Sequence, residues 1–428
     1  MNYIIRLNGG ERNLIWNPET GLFGGLDHAA AHLPEEMDAF VREWRRNNLE
    51  AKDKKLSMRL FTGGSCNMGC AYCIQEGMKG HTDTAKPDAG MICDALAWLF
   101  RRSGREKFEL NFMGGEPLLH WPLLTQVMER LERMIPGAEF SIITNGTLFD
   151  GEKARFCIGH DVFVSLSHDG PGQALRGKDP LAPRSASHAA LLWFFRERPR
   201  RFSVNPVLTK GNFDLEEIWG YLENRMHGKL HVSEALPCTP VTEEHAKSFS
   251  LTSPEEIEAL KNRTCTLLLT RHADYFHAYA DMLCALAFNT AMHEPARRNG
   301  RCSAYGEHPF VMDLGGNLRR CTSCGNDGML GGVPNACGNI FTLMERDASW
   351  EETVRDMSRK PAAWMEREEC HRCPWIAMCQ GGCPLGTEAL RAVNCGQRGA
   401  VMEGVFIAML ASMYPGLERY EILPMEAQ

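Results

Sequence analysis

The chain has 428 residues, 44% of them apolar, which is enough for two or three domains and a sizeable core. A formal net charge of -7 disfavours a protein that binds nucleic acid through phosphate contacts or a membrane through a polybasic anchor. No apolar run is long enough to span a bilayer, and the first residues lack a signal-peptide pattern, so we expect a cytoplasmic protein.

The alternation of strand and helix patterns predicts an α/β fold. Before it, short strands are predicted at Tyr3–Leu7 and Asn13–Trp16, and a helix at Pro34–Asn48. Six strands are then predicted at Leu56–Thr62, Phe108–Met113, Phe140–Thr144, Val162–Leu166, Phe202–Leu208 and Leu230–Glu234. Helices are predicted between them at Met91–Arg102, Pro122–Met134, Ala186–Glu197 and Leu215–Arg225. Such repeats indicate a parallel sheet with its chemistry at the C-terminal strand ends.

The rest of the chain changes character twice. Helices are predicted at Pro254–Lys261, Tyr275–Met292 and Gly399–Met413, whereas residues 302–395 are rich in Cys and Gly and have poor periodicity. A segment of that kind typically folds around metal. We therefore divide the chain into an N-terminal extension that contacts substrate or partner (1–55), a barrel (56–237), a helical bridge (238–301), a Cys-rich domain (302–400) and a C-terminal helix with tail (401–428).

Seventeen cysteines are many for a chain of this length, and they cluster at short spacings, which favours metal ligation over disulfides. Cys66, Cys70 and Cys73 form a C-x3-C-x2-C loop after the first strand of the barrel. Three thiolates on one loop can hold three corners of a [4Fe–4S] cube and leave one iron open. A zinc site and three unrelated buried thiols are the alternatives, and they explain the spacing less well.

This loop, with the aromatic Tyr72 before its third cysteine, resembles the signature of the radical S-adenosylmethionine (SAM) superfamily. The resemblance implies a partial (β/α)6 TIM-like barrel. It also implies that the methionine amine and carboxylate of SAM bind the open iron. SAM would then be cleaved reductively to a 5′-deoxyadenosyl radical, which abstracts hydrogen from the substrate.

Further segments at the predicted strand ends resemble cofactor-binding segments of that family. Gly114-Gly115-Glu116-Pro117 resembles the GGEP segment, in which the backbone and the Glu meet the methionine amine. Glycine permits close backbone approach and a carboxylate pairs with an ammonium, so the chemistry agrees. The segment Ser165–Pro171, after the fourth predicted strand, resembles the family segment whose serine lies near the ribose of SAM. Ser165 and Ser167 are both candidates for that contact. The implied SAM contacts are Tyr72, Gly114, Gly115, Glu116, Asn145, Ser165, Ser167 and Arg176.

Simpler structural roles remain alternatives at several of these positions. The GGEP segment is also a glycine turn before a helix, Asn145-Gly146 is also an ordinary turn, and Arg176 is also a solvated loop charge. Asn205 either faces the cofactor or bonds to backbone at a strand end. His168 receives no role, because a histidine beside Asp-Gly is more often structural.

The C-terminal cysteines closely match the seven-cysteine SPASM pattern of radical peptide and protein maturases. The match implies two auxiliary [4Fe–4S] clusters and so three clusters in all, with zinc as a weaker alternative. Auxiliary cluster II would use Cys370, Cys373, Cys379 and Cys395. Auxiliary cluster I would use Cys302, Cys321 and Cys383, with Cys324 or Cys337 as the nearer candidates for a fourth ligand and Cys265 or Cys284 as more distant ones. Cys93, Cys157 and Cys238 are expected to pack as small apolar residues.

The layout implies an oxidoreductase that modifies a ribosomally made precursor peptide, most simply by forming a thioether or carbon–carbon cross-link. Sulfatase maturases of this family carry a catalytic Asp after the second auxiliary cysteine. Thr322 occupies that position here, which lowers the expectation of oxidation at a protein Cys or Ser. Peptide backbone excision and modification of a small molecule are further alternatives. The leader is bound either by a separate protein or by the barrel and the N-terminal segment. An electron donor such as flavodoxin or ferredoxin is an expected partner. The catalytic base is not identified.

Overall fold

The computed structural model describes residues 3–9, 12–17, 22–25, 54–78, 88–233, 235–270, 311–359, 367–379, 381–385, 387–414 and 416–424, and the single positions 279, 282, 302, 304, 306, 308 and 309. The helix predicted at Pro34–Asn48 lies outside the described residues, as does the one at Tyr275–Met292 apart from two positions.

All six predicted barrel strands are present, and neighbouring strands pair in parallel. The strands are β4 (Lys55–Phe61), β5 (Lys107–Met113), β6 (Glu139–Thr144), β7 (Phe163–Leu166), β8 (Phe202–Val204) with its continuation β9 (Val207–Leu208), and β10 (His231–Val232) with its continuation β11 (Leu236–Pro237). The predicted strand over residues 202–208 is interrupted at Asn205-Pro206, because proline has no N–H to give to a ladder.

Helices connect these strands and cover the sheet. They are α1 (Ala89–Ser103), α2 (Trp121–Met134), α3 (Gly151–Gly159), α4 (Ala186–Glu197) and α5 (Leu215–Met226). The four predicted helices are confirmed to within two residues at each end. Helix α3 was not predicted, because it is short and only weakly amphipathic. Its start is marked by Asp150, whose side chain accepts a hydrogen bond from the Lys153 N–H.

The Cys-rich region adds three strands to the same sheet. β12 (Val311–Asp313) pairs in parallel with β4, and β13 (Asn317–Arg319) and β16 (Ala336–Asn339) follow in antiparallel register. The separate hairpin β14–β15 spans Met329–Leu330 and Val333–Pro334. These strands are too short to give a readable periodicity, which is why the sequence analysis assigned this region to metal alone.

The N-terminal extension forms a second sheet with the other end of the chain. β1 (Tyr3–Leu7), β2 (Arg12–Asn17) and β3 (Leu22–Gly25) pair in sequence, and β17 (Tyr420–Pro424) pairs with β1. The buried Trp16 donates its indole N–H to the Pro374 carbonyl at 2.7 Å, and Tyr3 donates to the Arg372 carbonyl. The extension therefore contacts the loop that carries Cys370 and Cys373.

The remaining helices are α6 (Glu243–Phe249), α7 (Pro254–Leu269), α8 (Ile340–Glu345), α9 (Trp350–Val354), α10 (Glu368–His371), α11 (Ile376–Cys379) and α12 (Glu388–Met413). The helix predicted from Gly399 begins at Glu388, so the domain boundary predicted at residue 400 falls inside α12. Within the described part of the chain, no helix combines the length and apolarity needed to cross a bilayer.

Replacing Trp16 by Phe is expected to lower the free energy of unfolding by about 2 kcal/mol, since a buried hydrogen bond and indole packing are both lost. Anaerobic denaturant titration measures this change. Ile15→Val, at a position exposed on the same strand, is the matched control and should change stability by less than about 0.5 kcal/mol. Equal midpoints for the two variants would contradict the packing described.

Candidate active site

A cavity of about 740 Å³ runs along the interior of the barrel, from Glu139 at the start of β6 to Thr144 at its end. The loop with Cys66, Cys70 and Cys73 lines it, as do residues along β5 to β8. Residues in and after β11 contribute further lining, together with Thr322, Ser323 and Arg398 from the Cys-rich region and α12. Of the eight predicted SAM contacts, all except Glu116 line this cavity.

The cysteine loop is held by a continuation of the β4–β5 ladder beyond the strand ends. Thr62 N–H donates to the Met113 carbonyl, Gly115 N–H to Gly63 and Glu116 N–H to Ser65, each at 2.8 Å. A Cβ on Gly114 would lie 2.7 Å from the Gly63 carbonyl oxygen, and one on Gly115 would lie 2.1 Å from that of Ser65. Both positions therefore require glycine because of the loop itself, in addition to any ligand.

Glu116 has a structural role in addition to the SAM contact that the family resemblance implies. The side chain is buried and does not line the cavity. Its carboxylate accepts hydrogen bonds from Thr144 Oγ1 at 2.7 Å, Asn145 N–H at 2.7 Å and Leu118 N–H at 3.0 Å. Burial raises the pKa of Glu116, and these three donors oppose that rise. The carboxylate thus joins the ends of β5 and β6, and its contact with the methionine amine stays a prediction.

Asn145 connects the end of β6 to the cysteine loop. Its Nδ2 donates to Asn67 Oδ1 at 2.8 Å and approaches Cys66 Sγ at 3.8 Å. Its Oδ1 accepts from the Thr147 N–H and hydroxyl. Asn145 lines the cavity while its amide is engaged within the protein, so it fixes the orientation of Cys66.

Tyr72 and Arg176 both bind Asp169, a residue to which the sequence analysis gave no role. Asp169 accepts from Arg176 Nε at 2.9 Å, from Val207 N–H at 2.9 Å and from the Tyr72 hydroxyl. Burial would lower the pKa of Arg176, but Asp169, together with Tyr72 and Cys70, more than offsets burial and raises this pKa. Arg176 is therefore a buried ion pair, which rules out the solvated-charge alternative. Asp169 begins the Asp-Gly-Pro segment after the fourth strand, and this position in the sequence could have identified it as a site residue.

Hydroxyl groups line the barrel wall below the strand ends. Ser165 Oγ lies 3.1 Å from Ser203 Oγ and accepts from Asn205 Nδ2 at 2.7 Å. Ser167, two residues after Ser165, lines the cavity and donates its backbone N–H to the Thr144 carbonyl. Among the described residues, the buried Oδ1 atoms of Asn205 and Asn111 have no hydrogen-bond partner. Unpaired buried acceptors in a cavity wall fit a ligand that carries hydroxyl or amine donors.

His168 is buried and structural. Its Nδ1 accepts from the Gly170 N–H at 2.9 Å, and its Nε2 lies 2.9 Å from Asp179 Oδ1. The hydrogen bond from His168 helps to lower the pKa of Asp179, against the effect of burial. The histidine does not line the cavity.

The three loop cysteines are free thiols that line one cavity. Burial raises the pKa of Cys66 and Cys70. Within the described residues no three His, Cys, Asp or Glu side chains converge closely enough to hold a single ion. Ligands of a [4Fe–4S] cube each bind a different iron, so they need not converge on one point. The donor set, three unbridged thiols on one loop beside an open cavity, fits such a cluster with one iron free.

Four cysteines of the Cys-rich region form one group. Burial raises the pKa of Cys321 to about 12, and repulsion from the neighbouring thiolates of Cys302, Cys383 and Cys324 adds to this rise. Cys337 is not part of this group. It lies in the main core, where its Sγ is 3.3 Å from Met357 Sδ. The structure therefore favours Cys324 over Cys337 as the fourth thiol. Cys265 lies on α7, and Cys284 falls outside the described residues.

The second group matches the other predicted set. Burial raises the pKa of Cys373 to about 12, and the neighbouring thiolates of Cys379, Cys370 and Cys395 contribute. Cys93 and Cys157 pack in the core as expected. Cys238 is also buried, but it lines the active-site cavity, which the sequence analysis did not anticipate. Cys238 directly follows β11, the continuation of the sixth strand, and this position could have predicted that it lies at the site.

Replacing Gly115 by Ala is expected to reduce 5′-deoxyadenosine formation with dithionite by about a hundredfold, because the new Cβ must push the cysteine loop out of position. Product is measured chromatographically on anaerobically reconstituted protein. Gly220→Ala is the control, because a Cβ on this helical glycine has no neighbour within 4 Å. Unchanged activity in Gly115→Ala would contradict the conclusion that this hydrogen-bond ladder determines the position of the cysteine loop.

Comparison with known proteins agrees with this geometry. Residues 60–196 match the model of the Radical SAM superfamily. A cysteine-type anaerobic sulfatase-maturating enzyme of Clostridium perfringens is 25% identical over 338 residues, which cover 74% of this chain and 85% of that enzyme. A radical SAM cyclopropyl synthase, TigE, of Paramaledivibacter caminithermalis is 22% identical over 196 residues, and the match spans only 41% of that protein.

Solved structures support the fold. Native anSMEcpe with bound AdoMet superposes with a TM-score of 0.62 at 17% identity and covers 83% of this chain and 99% of that one. The same protein with AdoMet and the Kp18Cys peptide gives a TM-score of 0.60, covering 84% and 99%.

Proposed function

This chain is a radical SAM enzyme of the SPASM maturase type, and from that premise we propose that it modifies a ribosomally made precursor peptide by forming a thioether or carbon–carbon cross-link. The observation that carries the proposal is the cavity itself. The cysteine loop and the Cys-rich region both line it, so a peptide bound in this cavity contacts both.

SAM and one [4Fe–4S] cluster are the cofactors, with Cys66, Cys70 and Cys73 as the proposed cluster ligands. When bound, they supply a carbon radical that removes a hydrogen atom from the substrate. The protein positions the cluster loop through Asn145 and the Asp169–Tyr72–Arg176 group. It offers SAM the backbone of Gly114 and Gly115 and the side chains of Ser165, Ser167 and Asn205.

Two auxiliary [4Fe–4S] clusters complete the proposal. Cluster I takes Cys302, Cys321, Cys324 and Cys383, and cluster II takes Cys370, Cys373, Cys379 and Cys395. With four thiols each, neither cluster keeps an iron for a substrate thiolate. We therefore assign both to electron transfer, with flavodoxin or ferredoxin as the external donor. A separate leader-binding protein remains part of the proposal.

Oxidation of a protein cysteine is the second candidate, because a cysteine-type anaerobic sulfatase-maturating enzyme matches 74% of this chain. Thr322 argues against it: this residue lines the cavity directly after Cys321 and supplies no carboxylate base. Among the described lining residues the carboxylates are Glu109 and Glu139, and Lys55 pairs with both at 3.5 and 3.4 Å. Neither carboxylate is free to act as the base.

Mass spectrometry of a candidate precursor peptide, encoded near this protein and co-expressed with it, tests the function. We expect the peptide to lose two hydrogens and to resist fragmentation between the two joined residues. Co-expression with the Cys66→Ala variant is the control and should leave the mass unchanged. Loss of sulfur from one cysteine without a new bond would instead support the second candidate.

Cys324→Ser is expected to remove or alter one auxiliary cluster, whereas Cys337→Ser should leave all clusters intact. Both cysteines follow Cys321 in the Cys-rich region, so the pair controls for general damage. Iron analysis and electron paramagnetic resonance of the reduced proteins measure the outcome against about twelve irons for three clusters. Identical spectra for Cys324→Ser and wild type would contradict the ligand assignment.

A further inference from the structure

Arg398 is a half-buried cation in the wall of the active-site cavity. It lies on α12, one turn after Cys395, and lines the cavity, as do Thr322 and Ser323. Burial raises the pKa of both Cys302 and Cys395, and the Arg398 charge opposes that rise in each case. The guanidinium is therefore close enough to one cysteine of each auxiliary group to act on its charge.

The other charged residues of the cavity wall already have partners. Arg176 binds Asp169, and Arg201 forms an ion pair with Asp161. Glu109 and Glu139 share Lys55, and Arg59 also has a partner. Across the part of the chain that the structure describes, Arg398 makes neither a hydrogen bond nor an ion pair. It is thus the cavity cation that is available to a ligand.

The chemistry of the guanidinium limits the kind of ligand. A partly buried, unpaired charge is costly, and a planar guanidinium binds a carboxylate through two parallel hydrogen bonds. A nucleic acid is disfavoured, because the chain has a net charge of -7 and would repel a polyanion. A single carboxylate on a peptide avoids that repulsion.

Arg398 is not one of the proposed SAM contacts, which belong to the cysteine loop, the barrel strands and the loops after them. It belongs to α12, the helix that also carries Cys395. The buried Gln397 fixes this part of α12: it accepts from the Leu251 N–H at 2.9 Å and donates to the Cys238 carbonyl at 3.2 Å.

We propose that Arg398 binds a carboxylate of the peptide substrate and so selects for an acidic side chain, or the C-terminal carboxylate, close to the residue that is modified. This inference rests on the proposed peptide-modifying function and names its substrate class. Thr322 and Ser323 line the same cavity.

Peptide capture by the reconstituted, SAM-loaded holoenzyme tests the proposal. The probes are two libraries of short random peptides, one with a free C-terminal carboxylate and one with a C-terminal amide. Wild type should enrich carboxylate-bearing peptides about tenfold over R398Q, the gain expected from a hydrogen-bonded charge pair. Asp or Glu enrichment in the amide library identifies a side chain. Enrichment confined to the acid library identifies the chain end.

R391Q is the matched control, because Arg391 lies on the same helix and does not line the cavity. It should keep the wild-type preference. The proposal is overturned if wild type shows no carboxylate preference, if R398Q keeps it, or if R398Q loses SAM binding in equilibrium dialysis. The wild-type result stands as a test even if R398Q fails to fold. Formation of 5′-deoxyadenosine by R398Q would show that the radical function survives whatever happens to the acidic preference.

Discussion

The backbone ladder between residues 62–65 and 113–116 is the constraint on which the rest of the site depends. Two neighbouring parallel strands normally separate where they end, but here their hydrogen bonds continue into the loop that carries Cys66, Cys70 and Cys73. The loop approaches so closely that no side chain fits at Gly114 or Gly115. The position of the three thiols is thus determined by the sheet, before any cluster is added.

Two sets of buried hydrogen bonds hold the cysteine loop, one centred on Glu116 and Asn145 and the other on Asp169. Glu116 collects three donors and joins β5 to β6, and Asn145 extends that link to Asn67 and Cys66. On the other side Asp169 holds Tyr72 and Arg176. A hydrogen bond to a charged group contributes about 1.5–3 kcal/mol, so each group is a strong local restraint. Preorganised thiols and a water-accessible cavity are what an open-coordination cluster needs.

The sequence predicted the barrel well because its six strands are apolar runs bounded by turn residues, and each was found in parallel register. It predicted the cysteine groups because their spacing is characteristic. It could not assign Glu116, whose role depends on Thr144 and Asn145 of another strand. Nor could it choose between Cys324 and Cys337, since both follow Cys321 and only tertiary packing separates them. The pairing of β1 with β17 was equally hidden, because it joins opposite ends of the chain.

The central claim is that a cluster at Cys66, Cys70 and Cys73 starts the chemistry while two fully ligated clusters in the Cys-rich region support it. Iron content and 5′-deoxyadenosine formation, measured together on wild type and on the combined Cys66→Ala, Cys70→Ala, Cys73→Ala variant, test it most directly. The account predicts about twelve irons in wild type, about eight in the variant and no product from the variant. Product formation by the variant, or loss of all its iron, would contradict the account.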